Sequence, residues 1–184
     1  MPRLLNIAPP GQRSAATGFD TPMAMLKECH RRVEDQCDTL TRLVPHLAAH
    51  GSDTAAAEAA AAVVRYFEVA APKHHADEED DLLPALFEAV AGSDASCLRD
   101  MAQGLLADHE ALAEQWRALR AVLGEVMARK PALLDAAAVQ TFADHYRAHI
   151  AFEEGELYPM ADRLLSDPAL AQIGQAMWRR RSEG

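Results

Sequence analysis

Aromatic residues are scarce in this sequence, at 5% of 184 positions, so Leu, Val and above all Ala must fill whatever interior it builds. Cysteine is scarce too. Cys29, Cys37 and Cys97 are an odd number without metal-site spacing, which argues against a disulfide framework and for free thiols in a reducing compartment. No apolar stretch approaches the roughly 20 residues that cross a bilayer. Met1 to Gly18 also lacks the continuous apolar region of a secretion signal, so a cytoplasmic protein without a membrane partner is expected. Positive charge is in deficit, with 18 basic against 28 acidic side chains and a formal charge of -10. The average surface therefore repels polyanions, which argues against nucleic acid as a partner. The one basic run, Arg179 to Arg181, suits a helix C-terminus and is given no function.

What is present is an ordinary globular balance, 49% hydrophobic and 25% charged, in a chain long enough for one domain with its own core. Residues 1–20, with Pro2, Pro9, Pro10, Gly11 and Gly18, read as an N-terminal arm or tail. From Thr21 and Pro22, a cap and first helical position, Met23, Leu26, His30, Val33, Cys37, Leu40 and Val44 recur at steps of three and four. Pro45 is expected to kink or end this helix before Gly51. Asp53 can cap a second helix with Ala60, Val64, Phe67, Ala71, His74, Glu78, Leu82 and Ala85 inward, bent at Pro72 and Pro84. A third carries Leu98, Ala102, Leu105, His109, Leu112, Trp116, Leu119, Leu123 and Val126. A fourth, from near Leu134, carries Val139, Phe142, Tyr146, His149, Glu153, Leu157, Met160 and Leu164. A short C-terminal helix follows Asp167 and Pro168 within residues 166–184. No convincing strand pattern appears, so the expected fold is all-α, an up-down-up-down four-helix bundle over residues 21–165.

Each of the four apolar stripes is interrupted by a histidine: His30, His74, His109 and His149. Their separations of 44, 35 and 40 residues are each about half a helix, a loop and half of the next helix, which places all four at one level of an antiparallel bundle. Glu78 and Glu153 follow His74 and His149 by four residues and join the same layer. Four imidazoles and two carboxylates cannot be left unpaired in an apolar interior, and bound metal resolves the conflict. Mixed nitrogen and carboxylate donors suit Fe, Mn or Zn, and six are too many for one tetrahedral zinc but right for two carboxylate-bridged metals. Residues 74–84 also repeat at 149–159, with His, two Glu, Leu and Pro in common, and Leu26–His30 echoes Leu105–His109, so the site is pseudo-twofold.

This order of a lone His, a His-x-x-x-Glu ending in Leu-x-Pro, a second lone His and a second His-x-x-x-Glu with Leu157-Tyr158-Pro159 resembles the hemerythrin HHE cation-binding family over roughly residues 21–165. The resemblance implies a non-haem centre of two Fe ions, with His30 and His74 on one, His109 and His149 on the other, and Glu78 and Glu153 as bridges. Oxygen-carrying hemerythrins add a fifth histidine on the third helix, one turn from its partner. Here the corresponding positions are Leu105 and Ala113, neither of which can ligate. The set thus resembles that of the iron-centre repair proteins, although the N-terminal cysteine-bearing domain usual there has no room in this chain.

The expected function is binding of, or reaction with, O2, NO or peroxide at the metal pair. Iron delivery or repair and a metal-free interaction bundle remain alternatives, and nothing in the sequence separates sensor, carrier and enzyme. His145 and Tyr146 flank His149 as further candidate donors, while His75, Glu79 and Glu154 are expected at the rim or in solvent. His46 and His50 are expected at the surface without a carboxylate partner, Cys29 and Cys37 as packing, and Phe67, Leu112 and Phe142 as possible pocket walls.

Overall fold

A computed structural model describes residues 18–92 and 94–183, so most of the expected arm over residues 1–20 lies outside the described residues. The described chain forms five helices and no strand. They are α1 (Pro22–His50), α2 (residues 54–89), α3 (Asp94–Met127), α4 (residues 136–164) and α5 (Asp167–Ser182). Helix α1 packs on α2 and α4, and α3 packs on the same two helices, while α5 lies against α1 and the second half of α2. No described helix is long and apolar enough to cross a membrane.

The helix ends follow local chemistry. The Asp53 carboxylate accepts from the Ala56 N–H, and Asp135 caps α4 in the same way. Ser166 caps α5, and Gly51 closes α1 with a φ of 67°, a conformation that favours glycine. Thr21 precedes Pro22 as expected, but its hydroxyl donates to the Gly18 carbonyl instead of capping α1. Pro45 neither ends nor interrupts α1, which runs on to His50. Pro45 and Thr41, whose carbonyl loses its usual partner, are both exposed, so water can satisfy that oxygen.

The prolines of α2 and α4 act differently. Three π-helical turns, Tyr66–Ala70, Asp77–Leu82 and Glu153–Leu157, end just before Ala71-Pro72, Leu83-Pro84 and Tyr158-Pro159. In each, the residue preceding proline donates its N–H five residues back, to Tyr66, Glu78 and Glu153 respectively. The widened turn lets the helix continue past a ring that would otherwise collide with the carbonyl four residues earlier. Two of the three turns are closed by the carbonyls of Glu78 and Glu153, so the halves of the repeat share this deformation as well as their sequence.

Apolar side chains gather in two clusters. One, around Leu40, Val63, Leu123 and Phe142, fills the end of the bundle reached by the α1–α2 loop. The other, around Leu26, Leu86, Leu98, Leu157 and Met177, fills the opposite end and includes α5. Between them lie buried His30, His74, Glu78, His109, His149 and Glu153. On α3 the boundary falls at His109 itself, with Leu105 in one cluster and Leu112 in the other.

Helix α5 is pinned to this middle layer by charge. Arg181 donates to both oxygens of Asp77, at 3.1 and 2.5 Å, and Arg180 bonds Asp77 and, at 2.8 Å, Asp81. The basic run therefore reaches across to the π turn that carries Glu78, beyond the helix-end role expected from sequence. Gly174 permits this docking, since a Cβ there would stand 2.0 Å from the Phe19 carbonyl oxygen. Asp77 is fully buried while both arginines are partly solvated. Asp77→Ala is expected to cost about 1–3 kcal/mol, because it leaves the partly solvated Arg181 without its carboxylate while Arg180 keeps Asp81. Urea denaturation would measure the loss, and limited proteolysis would show α5 released before the rest of the bundle.

Candidate metal centre

The four stripe histidines meet at one level. His30 and His74 bring their Nε2 atoms to 3.1 Å, and His109 and His149 bring theirs to 3.2 Å. Glu153 reaches both pairs, with Oε2 3.0 Å from His30 Nε2 and Oε1 3.0 Å from His149 Nε2. Glu78 lies between the same pairs, 3.6 Å from His74 Nε2 through Oε1 and 3.6 Å from His109 Nε2 through Oε2. The six residues thus form two four-donor groups that share both glutamates: His30, His74, Glu78 and Glu153, and Glu78, His109, His149 and Glu153. Within each group every donor lies within 4.8 Å of the others.

The lone histidines receive a second carboxylate. His30 Nδ1–H donates to Glu154 Oε1 at 2.8 Å, and His109 Nδ1–H donates to Glu79 Oε1 at 2.5 Å. With the proton held on Nδ1, a neutral ring offers its Nε2 lone pair to the interior. Glu79 and Glu154 are partly exposed, as expected for a rim, but the sequence reading missed their grip on the histidines. Both are the second glutamate of the duplicated His-x-x-x-Glu-Glu, and each crosses to the lone histidine of a neighbouring helix. The repeated pair itself was the available signal.

Tyr158 also escaped the sequence reading. It is fully buried, stacks on His30 with centroids 5.4 Å apart, and donates its O–H to Glu78 Oε1 at 2.5 Å. The two aromatic or imidazole candidates beside His149 diverge. His145 turns to the bundle surface, where it meets Gln115 at 3.1 Å and Asp108 at 3.3 Å. Tyr146 packs among Phe67 and Phe142, with its ring centre 6.3 Å from that of His149.

His75 is half-buried, at the inner edge of the rim. Its ring lies parallel to that of His109 at 3.9 Å, and its Nε2 is buried without a hydrogen-bond partner. His46 is also buried, contrary to expectation, and donates to the Asp53 cap at 3.0 Å. Cys37 is a core residue whose thiol burial pushes up to about 12, which fits packing rather than reactivity. A cavity of about 420 Å³ opens beside the site and is lined by Phe67, Leu112, Trp116, Tyr146, His75 and His109, among others. Phe142 stands behind this wall, 5.2 Å from the Phe67 ring centre.

Burial and mutual charge pull the site's groups away from their ordinary values. Burial, with His30 nearby, holds His74 well below the usual imidazole range. Burial, with His75 and His149 nearby, takes His109 down to about 2. Burial and the neighbouring Glu153 push Glu78 well above the carboxylate range, whereas His149 and His30 outweigh burial and hold Glu153 well below it. The metal-free layer thus disfavours charge on His74 and His109, while Glu153 outweighs burial and raises His149, and one carboxyl is forced toward its protonated form, as expected when two carboxylates share a buried site.

These residues fit a metal pair. Glu78 Oε2 and both Glu153 oxygens are buried without hydrogen-bond partners, although histidine nitrogens stand within 3.0–3.6 Å of them. Close approach without donor–acceptor alignment leaves full desolvation costs uncompensated, and cations between the groups would supply the compensation. The all-nitrogen and carboxylate donor set suits Fe, Mn or Zn. Among the described residues, the Tyr158 hydroxyl is the one donor aligned on the Glu78 carboxylate. Tyr158→Phe is therefore expected to destabilise the metal-free protein by about 1–3 kcal/mol, read from the midpoint of urea unfolding.

Comparison with known proteins agrees with this geometry. The hemerythrin HHE cation binding domain matches residues 21–161, which include all six layer residues. An uncharacterized protein of Haemophilus influenzae is 33% identical over 163 residues, spanning 89% of this chain and 91% of its own length. The chain belongs to the hemerythrin HHE cation-binding family.

Proposed function

We propose that the protein is a cytoplasmic, non-haem di-iron protein of hemerythrin type, an up-down-up-down four-helix bundle that binds or reacts with O2, NO or peroxide. The observation that carries this reading is the pair of four-donor groups sharing Glu78 and Glu153. His30 and His74 would hold one iron, His109 and His149 the other, and the two glutamates would bridge them. When bound, the iron pair supplies electrons and open coordination positions to the small ligand.

The protein's own residues prepare that site. Glu154 and Glu79 keep the Nδ1 protons of His30 and His109 in place, so that their Nε2 atoms face inward as acceptors. The Tyr158 O–H bonds Glu78 and relieves part of the cost of burying two carboxylates side by side. Phe67, Leu112 and Trp116 give the adjoining cavity an apolar wall, which favours small uncharged ligands and limits water. Both glutamates already stand between the histidine pairs, which supports their assignment as bridges.

Protein purified from iron-supplied cells is expected to carry two irons per chain and an absorption band that shifts with azide. Fewer than one iron per chain, or a spectrum indifferent to azide, O2, NO and peroxide, would overturn the reading. Release of the ligand on degassing would mark a carrier or sensor, and turnover would mark an enzyme. Removing one orienting carboxylate should act locally. Glu79→Ala and Glu154→Ala are each expected to weaken one of the two bound metals about 10–100-fold while sparing the other. Stepwise metal titration of the two variants checks this.

A further inference from the structure

The cavity beside the metal centre is larger than O2, NO or peroxide requires. Its volume of about 420 Å³ is more than ten times the roughly 30 Å³ that a water occupies in the liquid, and falls within the roughly 300–1,000 Å³ of sites for organic molecules. Its lining is also divided along the bundle. Phe67 on α2 meets Trp116 on α3 with ring centres 4.8 Å apart, whereas His75 and Glu79, further along α2, meet His109, earlier on α3. The two helices therefore run in opposite directions here. The cavity has an aromatic end at Phe67, Trp116 and Tyr146 and an acidic end at Glu79, Asp80 and Glu110. Between Glu110 and Trp116, α3 rises about 9 Å.

The acidic end is poorly neutralised. No lysine or arginine lines the cavity among the described residues. Glu79 commits one oxygen to His109, Asp80 lies 3.5 Å from Arg180 Nη2, and no ion pair engages Glu110 among the described residues. His75 lines the cavity between the two ends, and its Nε2 is buried without a hydrogen-bond partner. A neutral imidazole can accept a hydrogen bond through that nitrogen. The aromatic end suits small uncharged ligands, but a diatomic molecule uses neither the carboxylates nor the orphaned nitrogen.

We propose that this cavity is a second binding site, for a small organic cation in which a short carbon chain joins an aromatic ring to an ammonium group. The ring lies against Phe67 and Trp116, where it is removed from water. The ammonium faces Asp80 and Glu110 and donates a hydrogen bond to His75 Nε2. Each feature left unused by a diatomic ligand then has a partner on one molecule. His109 lines the same cavity, so an occupant also covers that flank of the layer. Binding of the cation does not require bound metal.

Calorimetric titration of the full-length protein with phenethylamine tests this. The comparison compounds are 3-phenylpropionate, which carries the ring on a carboxylate, 2-phenylethanol, which has no charge, and butylamine, which has no ring. Phenethylamine should bind with a dissociation constant below about 1 mM, and each of the others about 10-fold more weakly or worse. Asp80→Asn with Glu110→Gln should weaken phenethylamine about 5–10-fold and leave 2-phenylethanol unchanged. Glu79 is kept because it also holds His109. Ala113→Phe, at an exposed lining position, should fill the cavity and abolish binding, with thermal melting used to show that each variant is folded. Absence of saturable phenethylamine binding, or equal binding of the carboxylate or the alcohol, would overturn the proposal. So would phenethylamine binding that survives Ala113→Phe, since that places the amine elsewhere, such as the groove beside Trp178. Should Ala113→Phe not fold, unchanged affinity in the Asp80 and Glu110 variant overturns it instead. None of these readouts involves metal, so their failure leaves the metal pair standing.

Discussion

Everything in this fold is arranged around a dry layer of six ionisable groups that cannot satisfy one another. Two carboxylates and four imidazoles crowd within hydrogen-bonding range, yet several of their atoms find no aligned partner. Such a layer is costly in a bundle whose remaining interior is mostly apolar. The apolar clusters above and below supply the stability that allows it to persist, and they also exclude the water that would otherwise solvate it. The layer's cost is thus offset by its neighbours, and its donor set is one that fits cations.

Positioning comes from three devices that reinforce one another. The π turns set the backbone at Glu78 and Glu153, where a regular helix would have met a proline. The second glutamates of the repeat reach sideways to orient His109 and His30. Tyr158 and Asp77 then hold Glu78 from two directions, one through its carboxylate and the other through its backbone neighbour. Duplication explains the symmetry of the first two devices. The third has no counterpart in the other half, so the symmetry is broken just where reactivity would differ.

The helices and the six layer residues were legible in the sequence because both depend on period and register. A histidine at a core position of every stripe, spaced by half-helix steps, can be counted without coordinates. What escaped was the reach of long side chains. Glu79 and Glu154 point around their helices from Glu78 and Glu153, as periodicity implies, but their carboxylates extend far enough to meet a neighbouring helix. His75 keeps to the edge of the layer as expected, but its stacking on the His109 ring of the neighbouring helix could not be read from spacing. His46 and Asp53 pair across a loop, and Arg180 and Arg181 pair with Asp77 across about a hundred residues. Neither contact leaves a trace in local pattern, because only tertiary packing brings the partners together.

The grip of α5 on Asp77 also bears on how the protein is made. Asp77 sits beside Glu78 on α2, but its counter-charges belong to a helix that emerges from the ribosome much later. Until α5 arrives, Asp77 lacks both the arginines that neutralise it and part of the cover that keeps it from water. The charge-paired closure of this side of the layer therefore waits for the last helix of the chain. The part of the chain translated last thus completes the surroundings of residues laid down near its middle.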